Sequence, residues 1–217
     1  MNKYILIFLN ILKRVMFGII ILFFILYFSL WILFSNWIPK ELKIMYNQDI
    51  ESYFSDEQYN IITFSLSDNK GNKFKWYPFI VDIFVQFNNV YKNRKSKNIN
   101  SIAYMATSRI ALEYFHNNIG KYGNMEWHMM NYGLERYIIL KNDYKKSIDI
   151  ITGKGWMGLG IFGFKNASEY YYNKEIKELT NEELISLRVL MDNPGYYKIG
   201  SEENKIRTER ILNEYGN

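Results

Sequence analysis

There is no cysteine among these 217 residues, and only three prolines and two histidines. Without thiols the chain has no disulfide framework and no thiolate metal site, and two imidazoles are too few for a zinc cluster. Catalysis, if present, must run on carboxylates, hydroxyls or lysines. Charge of one sign is also scarce: 27 basic against 22 acidic residues leave a formal net charge of +5. That excess is modest and spread out, which suits a phosphate-bearing lipid or a membrane surface and argues against nucleic acid as a partner. No internal repeat or low-complexity tract interrupts the chain. Apolar residues are plentiful: 48% hydrophobic and 18% aromatic suffice for one soluble domain beyond any membrane segment.

The N-terminus predicts such a segment. Val15 to Phe34 are twenty uncharged residues, enough to cross a hydrocarbon core of roughly 30 Å at about 1.5 Å per residue. The run closes on Trp31, Trp37 and Pro39, which are interfacial anchors and a helix stop, not a small-residue cleavage site. Residues 1–39 are therefore expected to form a membrane anchor, with a transmembrane helix at about 15–34 and residues 40–217 as one domain. Tyr4 to Leu12 is apolar too, an interfacial extension of the same helix. Lys3, Lys13 and Arg14 precede the span, against Lys40 and Lys43 after it. The positive-inside bias then puts the N-terminus in the cytoplasm and the domain outside.

Beyond the anchor the pattern is mainly helical. Glu41 to Asp56 reads as a juxtamembrane helix, and Ile61 to Leu66 alternates like a strand before the turn residues Ser67 to Asn72, leaving room for one short β-hairpin. Trp76 to Phe87 is a buried or membrane-dipping helix, and Tyr91 to Asn100 an exposed basic loop. Helices are predicted at Ser101 to Phe115, Asn124 to Leu140 with Asn124 as N-cap, Lys145 to Thr152, and Thr180 to Met191. The last is best defined: Thr180 and Glu183 form a capping box ahead of the Leu184, Leu187, Leu190 stripe.

Gly160-Ile-Phe-Gly163 through Ala167 and Tyr170-Tyr-Tyr172 to Lys174, then Leu179-Thr180 to Glu183 and the Asn193-Pro194 turn, resemble the C-terminal segment of the peptidoglycan glycosyltransferases of family 51. The resemblance implies a mainly α, lysozyme-like domain, tethered outside the cytoplasmic (inner) membrane, that polymerises lipid II into glycan strands. It also implies as partners membrane lipid, lipid II or a glycan strand, and other cell-wall proteins, and as cofactor a divalent cation, Mg or Mn, assisting the pyrophosphate leaving group.

The family's catalytic motifs match less well. The EDxxFxxH motif falls on Ser67-Asp68-Asn69-Lys70-Gly71, so serine stands where the family has its general base, and Asp68 would have to act instead. A serine hydroxyl cannot take a proton at neutral pH without a base of its own. In the GxSTITQQ region the chain keeps a hydroxyl at Thr107, with Arg109 and Lys121 available to a pyrophosphate. The RKxxE motif leaves Glu126, and ILExYLN leaves Asp149, shorter by one methylene. The candidates implied are thus Glu126 and Asp68 for catalysis, and Thr107, Arg109, Lys121 and Asp149 for substrate. Because these motifs diverge, two functions stand side by side: an active hexosyltransferase, or a degenerate relative that binds lipid II, glycan or a cell-wall protein as a regulator or protective factor. A lysozyme-type hydrolase needs two carboxylates across one cleft, and no such pair stands out.

Overall fold

The computed structural model describes residues 3–48, 50, 51, 53–67, 73–75 and 100–216. Asp68, the apolar run at 76–87 and the basic loop at 91–99 lie outside them. α1 (Lys3–Trp37) is one unbroken helix of 35 residues, about 52 Å long. Within it Leu9–Ser29 is long and apolar enough to cross a membrane, with none of it buried against the protein. The extension at Tyr4 to Leu12 belongs to the same helix, which starts well before the expected span.

α2 (Lys40–Asn47) starts after Pro39 and buries Leu42 and Tyr46, one turn apart, on one face. It stops nine residues short of the expected Asp56 boundary. α3 (Asp56–Ser67) replaces the strand expected at 61–66. The β-branched run misled because every residue from Ile61 to Ser67 is buried, so no polar face reveals the helical period. The hydroxyls that interrupt the run are absorbed locally: Thr63 Oγ donates to the Tyr59 carbonyl at 2.6 Å, and Ser65 Oγ to Ile62 at 2.7 Å.

α3 lies at the centre, with α4 (Asn100–His116), α6 (Tyr144–Gly153), α8 (Asn181–Asp192) and α9 (Glu202–Gly216) against it. α4 also carries α2, α5 (Asn124–Lys141) and α6, while α7 (Phe164–Tyr172) bridges α6 and α8. Among the described residues there is no sheet, only an isolated antiparallel bridge between Trp156 and Phe162. The chain is mainly α, as a lysozyme-like domain requires. The loop around that bridge is shaped by Gly163 at φ +80°, where an added Cβ would lie 2.6 Å from the Gly153 carbonyl oxygen; only glycine permits this approach.

Candidate functional site

Ser67 ends α3, fully buried, and its hydroxyl donates to the Thr63 carbonyl at 2.7 Å. The side chain that the resemblance sets at the general-base position thus donates to its own helix. Its neighbour Asp68 lies outside the described residues. The start of α4 is pinned to the same helix end, Ser101 Oγ reaching the Leu66 carbonyl at 3.3 Å.

Glu126 sits in the first turn of α5, exposed, and its carboxylate accepts the Gly123 amide at 2.9 Å. The N-cap is Gly123, not Asn124. Glycine has no side chain, so this is half of a capping box, and Glu126 is the half that is present. Thr107 is buried in α4, its hydroxyl without a hydrogen-bond partner among the described residues. Lys121 lies exposed in the turn before α5, its ammonium 5.4 Å from the Tyr122 ring centre.

Asp149, on α6, is buried, and the Tyr59 hydroxyl from α3 points at both its oxygens, at 2.7 and 2.9 Å. Burial pushes its pKa up to about 6, against the lowering effect of the Tyr59 hydrogen bond. Asp149 thereby joins α6 to α3, an interior use of the carboxylate.

Arg109 is the one sequence candidate that the fold brings into a larger cluster. It is half-buried, and desolvation pulls its guanidinium below the ordinary value while Asp192 offsets part of the effect. Asp192, at the end of α8, is also gripped by Arg188 Nη1 at 2.6 Å and Arg207 Nη2 at 2.7 Å. Arg188 is buried and reaches the Ser65 carbonyl at 3.3 Å with its other terminal nitrogen, Nη2. Arg207 also donates to the Tyr197 hydroxyl at 2.7 Å. Two guanidinium groups, from α8 and α9, therefore grip one carboxylate beside the end of α3, and Arg109 of α4 feels its charge. The Arg188 to Asp192 spacing, i to i+4 on a helix, is the one signal in the sequence that marks any of this.

Among the described residues no group of three or more histidine or carboxylate side chains could hold a metal ion.

With this geometry in view, comparison with known proteins locates the likeness. Residues 150–215 match the family model described as Transglycosylase. A Penicillin-binding protein 1F of Bacillus subtilis is 34% identical over 79 residues, which is 35% of this chain and 11% of that protein. A Biosynthetic peptidoglycan transglycosylase of Haemophilus influenzae is 31% identical over 102 residues, 43% of this chain and 42% of that one. One of that description from Acinetobacter baumannii is 27% identical over 74 residues, 34% of this chain and 33% of the relative. The chain thus spans less than half the length of the curated relatives it matches.

Proposed function

From the match of residues 150–215 to the transglycosylases, we propose that this chain is a membrane-anchored, peptidoglycan-directed member of family 51 of the glycosyltransferases that binds lipid II or the glycan strand with its polymerising chemistry weakened or lost. The observation that carries this reading is Ser67: a buried hydroxyl donating to its own helix backbone at 2.7 Å cannot accept a proton from an attacking sugar hydroxyl. Glu126, the second carboxylate candidate, is already engaged in capping α5. The family's own activity, lipid II polymerisation with Asp68 and Glu126 as the acid–base pair, is the second reading, and the match over residues 150–215 favours it.

Several features support binding. The apolar helix would hold the domain at the lipid surface, and Lys3, Lys13 and Arg14, ahead of its uncharged run from Val15, would keep the N-terminus cytoplasmic. Arg109 and Lys121 would supply cations for the pyrophosphate, whose oxygens suit guanidinium donors. No step is assigned to a metal ion.

The test uses full-length protein purified in detergent and incubated with labelled lipid II. Retained binding without glycan polymer is the expected result. Polymer from the intact protein, abolished in Glu126→Gln, would establish the family activity instead.

A further inference from the structure

Two hollows flank α7 and share one carboxylate. The first, about 560 Å³, lies between Glu51 and Tyr53, one side of α7 and the turn after it, and is also lined by Lys165, Glu169 and Asn173 among others. The second, about 460 Å³, is formed by the loop ahead of α7 with Phe162, Glu169 and Tyr170. Each volume falls in the range that takes a small ligand. Among the described residues, neither hollow includes one that the family resemblance assigns to catalysis.

Their chemistry is divided. In the second hollow the rings of Phe162 and Tyr170 are 56% and 62% exposed. They are nonetheless held in place. The Phe162 backbone is held by the bridge to Trp156 and by the Asn166 amide, which donates to the Phe162 carbonyl at 2.9 Å. Tyr170 lies edge-on to Tyr171, whose hydroxyl donates to the Met157 carbonyl at 3.0 Å. Two outward aromatics on a held backbone, one of them packed edge-on against a neighbouring ring, form a stacking platform. In the first hollow the aromatic face is already taken, Lys165 Nζ lying 5.0 Å from the centre of the Tyr53 ring. What it offers is hydrogen bonding: the side chains of Glu169 and Asn173 are exposed and make no hydrogen bond within the described residues. Its lining has four glutamates against three lysines, a near balance that gives no net attraction to a polyanion.

We propose that this surface along α7 is a binding track for an uncharged glycan strand of N-acetylhexosamine units. Phe162 and Tyr170 stack on the apolar faces of the sugar rings, while Glu169 and Asn173 take the hydroxyl and acetamido groups. The inference rests on the peptidoglycan direction of the proposed function. It assigns the sugar chain, free of lipid and pyrophosphate, to a surface separate from the arginine cluster.

Chitotetraose, an uncharged N-acetylglucosamine oligomer, is the probe, titrated calorimetrically into the full-length protein in detergent, with lipid II binding measured in parallel. Tyr170→Ala is expected to weaken chitotetraose binding about tenfold and Glu169→Gln several-fold, with unchanged circular dichroism. Wild-type protein that binds lipid II but not chitotetraose overturns the track and leaves the proposed function standing. Chitotetraose binding that is indifferent to both Tyr170→Ala and Phe162→Ala overturns it as well. Binding that is lost in those variants, in a protein without affinity for lipid II, upholds the track and removes the lipid II reading.

Discussion

α5 and α8 begin in the same way, with a glutamate at the third helical position whose carboxylate turns back to an amide ahead of the helix. At α8 the box is complete: Thr180 Oγ accepts the Glu183 amide at 3.2 Å, and Glu183 accepts the Thr180 amide at 2.9 Å. Lys174 adds an ion pair to Glu183 at 2.7 Å. At α5 only the return bond exists, Gly123 to Glu126 at 2.9 Å. The difference teaches why one capping carboxylate is read as structure and the other as chemistry. Thr-x-x-Glu announces a cap, so Glu183 is read as structure; Gly-x-x-Glu announces nothing, so Glu126 is left free for a chemical role.

The two helices also differ in how deeply they are set. Every residue of α8 from Leu184 to Met191 is buried, whereas α5 keeps many side chains half-exposed. Leu187→Ala should therefore be the most damaging change, lowering the unfolding free energy by about 2–5 kcal/mol through lost burial and the cavity left behind. Urea denaturation measures it. A loss below about 1 kcal/mol would mean that α8 is not the anchor this burial makes it.

A second contrast sets Asp149 against Glu183, since their carboxyls are shifted in opposite directions. Partial burial pushes Glu183 up, but the Lys174 ion pair and the Thr180 cap outweigh it and leave the pKa lowered. Its contribution is present above the unfolded pKa and lost as pH falls through the folded one. Asp149 is raised from 3.8 to about 6, so the folded protein holds that proton more tightly than the unfolded chain. Stability from this group is full below about pH 4 and falls as pH rises through 6, by at most about 3 kcal/mol. Asp149→Asn should remove that decline and raise stability at pH 7, while still accepting one hydrogen bond from Tyr59. Denaturation midpoints at pH 4, 5, 6 and 7 test it. A decline that persists in the variant would assign the titration to another group.

The sequence is legible where a helix has one apolar face and a recognisable cap, as α8 does, and where length alone decides, as for α1. α3 is misread because burial on all sides erases its period. α9, read from no pattern in the sequence, hides for the opposite reason. Its inner face includes Asn204 and Thr208, buried polar residues held by hydrogen bonds such as Ser186 Oγ to Asn204 at 2.6 Å, so no continuous apolar stripe marks it. The arginine cluster is illegible for a third reason. Arg109, Arg188, Asp192 and Arg207 come from three helices, and only the fold brings them together.

The smallest expected effect on stability is the one most useful for function. Glutamine serves at the third helical position of a cap as glutamate does, so Glu126→Gln should keep the bond from Gly123 and move stability by less than about 0.5 kcal/mol. Glu183→Gln keeps its cap bond too but loses the ion pair to Lys174, a partly exposed lysine, and should cost up to about 1 kcal/mol. The paired urea measurements thus rank the two helix starts, and a larger loss at Glu126 than at Glu183 would reverse the ranking. Because Glu126→Gln leaves the fold intact, any change it produces in lipid II turnover reports chemistry alone. If Glu126 only caps α5, turnover and binding are the same in wild type and variant. A drop of two or more orders of magnitude in polymer formation would show that one side chain both caps the helix and transfers the proton.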